Sequence, residues 1–250
     1  MRQLLFFLII PATCLSQSAM FSSIRMKPLQ EKYNVDSATI VYPIVKIRNA
    51  TAQEKINNSI RAVLLSNIND EDSVSSIDLA IKSYVNDGLV SLSYKPLFND
   101  NSILSLQFFM EAVGAYLTSW QVHLNFDLNT GGLITLKNII KEEKFNVFKQ
   151  FIFHRKLNFL KKYKIEIKNW LAKKEITKED YMSALREVNS YCSDSVSLQK
   201  FILTKSYIEI FDNCEFPHVI MGLGPAYELK FKLPSIKSYI KEDFYKKLIH

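Results

Sequence analysis

The sequence predicts an α+β fold: an antiparallel sheet meander with packed helices and a long basic helical insertion. Three observations predict it. Three period-two runs follow one another between Leu89 and Leu128, joined by short polar connections, as adjacent antiparallel strands require. From Phe145 to Lys173 the pattern changes to helical spacing. Short β-rich runs then return, so strands and helices do not alternate as a doubly wound fold would need.

Taken in order, residues 19–35 read as a loose lead-in with serines, one proline and no period. Ala38–Ile47 is rich in β-branched residues and reads as a strand, with Pro43 marking an edge or a bulge because proline donates nothing to a ladder. Thr51–Ile68 places Ile56, Ile60, Val63, Leu64 and Ile68 on one helical face. Asn69–Ser76 is acidic and polar, a loop. Ile77–Val85 reads as a second helix, and Asp87-Gly88 as a turn. The meander strands are Leu89–Leu97, Ile103–Val113 and Trp120–Leu128. Asn129-Thr130-Gly131-Gly132 is a tight turn, since glycine and asparagine tolerate the positive φ it needs. In the long helix, Phe148, Phe151, Ile152, Leu157, Phe159, Leu160 and Ile167 form the apolar face. Thr177 opens another helix, with Asp180 placed for a capping box. Lys200–Leu203, Tyr207–Phe211 and Ala226–Leu233 are the last strands. Pro234 stops the final one, and Ser235 caps a closing helix through Ile240.

The N-terminus has the pattern of a secretory signal peptide over residues 1–18: Arg2, the apolar run Leu4–Ile10, then a small-x-small site at Ser16 and Ser18 that places cleavage between Ser18 and Ala19. The run is far short of the roughly 20 residues that span a bilayer. Cys14 keeps a lipid-anchored reading open, although Pro11-Ala12-Thr13 fits a lipobox poorly. The chain is therefore expected to be exported, periplasmic or extracellular, touching membrane only through the signal or a lipid on Cys14. Residues 36–250 are expected to form one domain, with an N-terminal part over 36–88 and a C-terminal part over 89–250. Two further cysteines, Cys192 and Cys214, flank a predicted hairpin. In an oxidising compartment they form a disulfide or stay as two apolar core thiols.

The net charge is +7, and its placement is uneven. Residues 141–187 hold 13 Lys/Arg against 7 Asp/Glu. Such a face suits anionic glycans, lipid headgroups or an acidic partner, or is simply a solvated helical surface. The chemistry of catalysis is missing from the pattern. His123, His154, His218 and His250 have no neighbour at metal-ligand spacing, and no CxxC, HExxH, GxSxG or phosphate loop occurs. Met221–Pro225 contains GxG but precedes a strand, so it reads as a loop needing unusual backbone angles. Asp70, Glu71 and Asp72 lie in a polar loop with no apolar pocket to raise a pKa. No catalytic, cofactor-binding or metal residue is expected, and no cofactor. The aromatics of the basic helices recur at core spacing, which argues against nucleic acid.

Four segments give a resemblance. Ile103–Tyr116 ends in Val113-Gly114-Ala115-Tyr116; Leu124–Ile140 reads LNFDLNTGGLITLKNII; Phe201–Asn213 reads FILTKSYIEIFDN; and Gly222–Ile240 reads GLGPAYELKFKLPSIKSYI. With these the chain resembles the PdaC/RsiV-like family of extracytoplasmic domains, a domain of unknown function found in lysozyme-sensing anti-sigma factors and beside peptidoglycan deacetylase domains. The second and fourth segments are the specific ones. Tyr116 stands where the family's loop has histidine, so no role of that histidine carries over. The catalytic domain and its metal-binding histidines have no counterpart in these residues. The resemblance thus implies a non-catalytic binding or accessory module of the bacterial envelope, with a cell-wall glycan or an envelope protein as partner. The alternatives are an envelope hydrolase or a lysozyme-type inhibitor or sensor. Lysozymes are typically basic, so a basic module would not be steered toward them.

Overall fold

The computed structural model describes residues 17–28, 40–65, 77–212, 214, 216–225 and 228–249. The expected signal segment through Ser16, with Cys14 in it, the acidic loop Asn69–Ser76 and His250 lie outside the described residues.

The fold is α+β. One sheet has five strands in the order β1 (Met20–Met26), β2 (Ile40–Lys46), β3 (Leu89–Asp100), β4 (Ile103–Val113) and β5 (Leu117–Asp127). Three of its ladders are antiparallel; β2 and β3 run parallel, meeting at Ile40 and Leu92. The parallel step arises because two helices, α1 (Ala50–Leu64) and α2 (Ile77–Asn86), connect those strands. Alternation does the rest. Leu104, Leu106, Phe108 and Met110 are buried in one core with Ile56, Ile60 and Leu64 of α1 and Ile81 of α2. The intervening residues of β4 point to the opposite face.

The lead-in expectation is corrected. Met20–Met26 is not loose but a full strand, paired along its length with β2 from Met20–Lys46 to Met26–Ile40. Ser22, Ser23 and Arg25 weaken its intrinsic signal. Pairing and the packing of Phe21, Ile24 and Met26 on the core make it a strand. Pro43 lies in an inner strand but pairs on one side alone, opposite Ser23, since β2 meets β3 only at Ile40.

The turn after β5 is tied to α1. Gly131 has φ +73°, and a Cβ there would lie 2.5 Å from the carbonyl oxygen of Ala52. Asp127 Oδ1 accepts from Asn129 N (2.8 Å), and Asn49, the N-cap of α1, donates from Nδ2 to Asn129 O (3.0 Å). The turn thus docks on the first turn of α1, where only a glycine fits.

Beyond it come a short α3 (Leu136–Ile139), the 28-residue α4 (Phe145–Ala172) and α5 (Lys178–Glu187). Thr177 and Asp180 form the expected capping box of α5. A three-stranded antiparallel sheet follows, β6 (Lys200–Leu203), β7 (Tyr207–Phe211) and β8 (Leu229–Lys232). Its inner face and the first half of α4 make a second core, where Phe148 and Phe151 meet Phe231 and Tyr239. The edge strand β6 is covered from the large sheet: Asn125 Nδ2 donates to Phe201 O (2.8 Å), and Leu203 N donates to Ser105 Oγ (3.2 Å). A third core joins the second half of α4, α5 and Phe216.

β8 ends at Lys232, just before Pro234 as expected, and Pro234 lies in the first turn of α6 (Leu233–Ile236), a position that asks for no N–H donor. Two further expectations are corrected. Ser235 caps nothing, since its hydroxyl donates to Lys232 O (2.7 Å). The chain closes on α7 (Glu242–Ile249), which the lysine-rich pattern hid. Gly222 and Gly224 need no unusual angles: His218–Leu223 forms 3-10 turns broken at Ile220 (φ −122°), and Gly224 has φ −60°.

Candidate functional site

The basic stretch becomes a surface with a shape. In α4 the buried residues are Phe148, Ile152, Lys156, Leu160, Tyr163 and Ile167, a stripe at helical spacing. Lys156 on this stripe was not legible as a core residue. Its ammonium lies 2.6 Å from Asp212 Oδ2 and donates to Ser195 O (2.6 Å), while Asp212 Oδ1 accepts from Ser197 N (2.9 Å). The pair is buried, and both charges are met by partners. It holds α4 against the chain that enters and leaves the β6–β7 hairpin. Tyr163 performs a similar task farther along: its hydroxyl donates to Leu223 O, and burial pushes the phenol up to about 12.

Beside that stripe, two rows one turn apart line a groove of about 490 Å³. Phe151, Arg155 and Phe159 form the inner row; His154, Asn158 and Lys162 form the outer one. Glu228 and Leu229, where β8 begins, close the other wall. The rows are neighbours because residues three and four apart share a helix face. Phe151 is held by its contacts with Phe231 and Tyr239, and the Arg155 guanidinium lies 5.4 Å from the Phe231 ring centre. Among the described residues neither Arg155 nor Lys162 forms an ion pair. The groove therefore offers apolar ring surface, two cations without ion pairs, the carboxylate of Glu228 on the other wall, and the amide and imidazole of Asn158 and His154 as hydrogen-bonding groups.

The remaining singled-out residues lie elsewhere. Cys192 and Cys214 are joined in a disulfide, with Cα atoms 5.2 Å apart, bracketing the hairpin from the third core. Ser18 is exposed, and Ala19 is buried with its N–H donating to Asn99 Oδ1 (2.7 Å) and its carbonyl accepting from Asn99 Nδ2 (2.8 Å). His123 stacks on Phe211 at 4.0 Å between ring centres, joining the two sheets, and burial pulls its imidazole down to about 4. Its Nδ1 is buried without a hydrogen-bond partner among the described residues. Tyr116 is exposed at the tip of the β4–β5 hairpin. Among the described residues no three His, Cys, Asp or Glu converge as metal ligands, and no helix is long and apolar enough to cross a membrane.

With the geometry in place, known proteins give a consistent fold. No family model matches the chain, and no curated protein does. In three dimensions it is similar to a member of the DUF3298 family from Bacteroides fragilis NCTC 9343, at TM-score 0.55 and 12% identity, over 93% of this chain and 97% of that one. It is also similar to a DUF3298 family protein from Pseudomonas aeruginosa PAO1, at TM-score 0.52 and 10% identity, over 91% of this chain and 96% of that one. DUF3298 is a domain of unknown function. At these identities the likeness is one of fold.

Proposed function

We propose that the chain is an exported, non-catalytic module of the bacterial envelope that holds an anionic glycan in the α4 groove, in the manner of an accessory PdaC/RsiV-like domain. The observation that carries this reading is the juxtaposition of Phe151 and Phe159 with Arg155 and Lys162, two cations without ion pairs. Sugar rings present flat C–H faces that lie against aromatic rings, and acidic groups on a glycan meet cations that need not first be freed from carboxylates. The disulfide is compatible with an oxidising compartment. The test is co-sedimentation of residues 19–250 with isolated peptidoglycan sacculi as salt rises. Retention well above physiological salt is the expected result, because salt screens the exposed Arg155 and Lys162 but not the ring contacts of the half-buried Phe151 and Phe159. No sedimentation at any salt refutes the glycan and redirects the search to an envelope protein.

A further inference from the structure

A second cavity, of about 530 Å³, opens on the far side of β8. Strand alternation makes it. Leu229 and Phe231 point into the core, so Lys230 and Lys232 point outward. Tyr207 pairs with Lys232 across the ladder, and Lys205 enters from the β6–β7 turn. Tyr245 of α7 forms the facing wall and Leu233 the floor. The cations are unevenly neutralised. Lys205 bonds Asp100 Oδ2 at 3.1 Å, and Lys230 lies 3.7 Å from Glu209 Oε2 and 3.9 Å from the Tyr207 ring centre. Lys232 has no ion pair among the described residues.

We infer that this cavity is a binding site, separate from the α4 groove, for a phosphate ester whose organic part is the size of one ring. The volume falls in the range of about 300 to 1,000 Å³ typical of small-molecule sites. Its cations are all lysines. An ammonium acts as a compact point charge with donors that rotate, the way lysine meets a phosphate. Tyr245, Leu233, Pro234 and Ile249 supply the apolar walls for the organic part.

The proposal does not depend on the glycan reading. Its test is calorimetric titration of residues 19–250 with phenyl phosphate, inorganic phosphate and phenol, with amide shifts followed by NMR. Phenyl phosphate should bind at least about tenfold more tightly than either fragment, with shifts at Tyr207, Lys230 and Lys232. Lys232→Ala removes an exposed side chain and should weaken phenyl phosphate about fivefold. Lys168→Ala, an exposed lysine on α4 that removes the same charge, should leave that affinity as it was. Phenyl phosphate binding no tighter than inorganic phosphate, or equal losses in the two variants, would overturn the inference.

Discussion

Gly131→Ala probes the contact that docks the turn after β5 on the first turn of α1. The residue has φ +73°, a conformation that costs an alanine roughly 1 kcal/mol. The new Cβ would also sit 2.5 Å from Ala52 O and 2.8 Å from Ala52 Cα. Both atoms are backbone, so no rotamer change relieves the overlap and the turn must lift from α1. Lifting weakens the Asn49 to Asn129 hydrogen bond, worth about 1 kcal/mol, and strains the Asn49 cap on Ala52 N, worth about another. The sum is about 3 kcal/mol. With a urea slope of roughly 2 kcal/mol/M, the unfolding midpoint should fall by about 1.5 M. Gly114→Ala is the control: no atom lies within 4 Å of its Cβ and its φ is not positive, so its midpoint should move by less than about 0.3 M. Equal midpoints for the two variants, followed by far-UV circular dichroism, would refute the reasoning.

Three other outcomes follow from the packing. His123 is held at about 4 in the fold against 6.5 when free, so the unfolded chain takes up the proton first as pH falls. Stability is complete above about pH 6.5 and declines toward pH 4, by about 2 kcal/mol after allowing for solvent screening. Thermal unfolding of His123→Phe, which keeps a ring on Phe211, should lack that part of the acid slope; an unchanged slope contradicts the assignment. Lys156→Met leaves Asp212 buried without its cation and should cost about 3 to 5 kcal/mol, whereas Lys156→Met with Asp212→Leu should recover most of it in the same urea assay. The disulfide closes a separation of 22 residues, and the double change Cys192→Ser and Cys214→Ser should lower stability by about 3 kcal/mol with little change in far-UV signal.

Periodicity made much of this fold legible. The meander from Leu89 to Asp127 and the span of α4 follow directly from it, although β4 and β5 bury both faces over Ile103–Leu106 and Leu124–Phe126, where the second sheet covers them. What escaped depended on partners distant in the chain. Met20–Met26 is a strand because β2 pairs with it, not because Ser22, Ser23 and Arg25 favour extension. Lys156 reads as one more solvated lysine until Asp212 is placed beside it. The groove residues share this fate. Phe151 and Phe159 look like core at helical spacing, and only the approach of Leu229 and Glu228 turns their edge into a wall. The turn at Asn129–Gly132 is an intermediate case: its glycines announce a reversal, while the reason Gly131 must be glycine lies on α1.

The central claim is that the shape of the α4 groove, and not the charge of the helix, binds the glycan. The measurement that addresses it most directly compares two variants of equal net charge for co-sedimentation with sacculi at high salt. Arg155→Glu with Lys162→Glu alters the groove; Lys168→Glu with Lys178→Glu alters exposed lysines away from it. The account predicts that the first pair abolishes sedimentation and the second keeps it. Equal loss in both would show that charge alone holds the protein to the wall and would contradict the account.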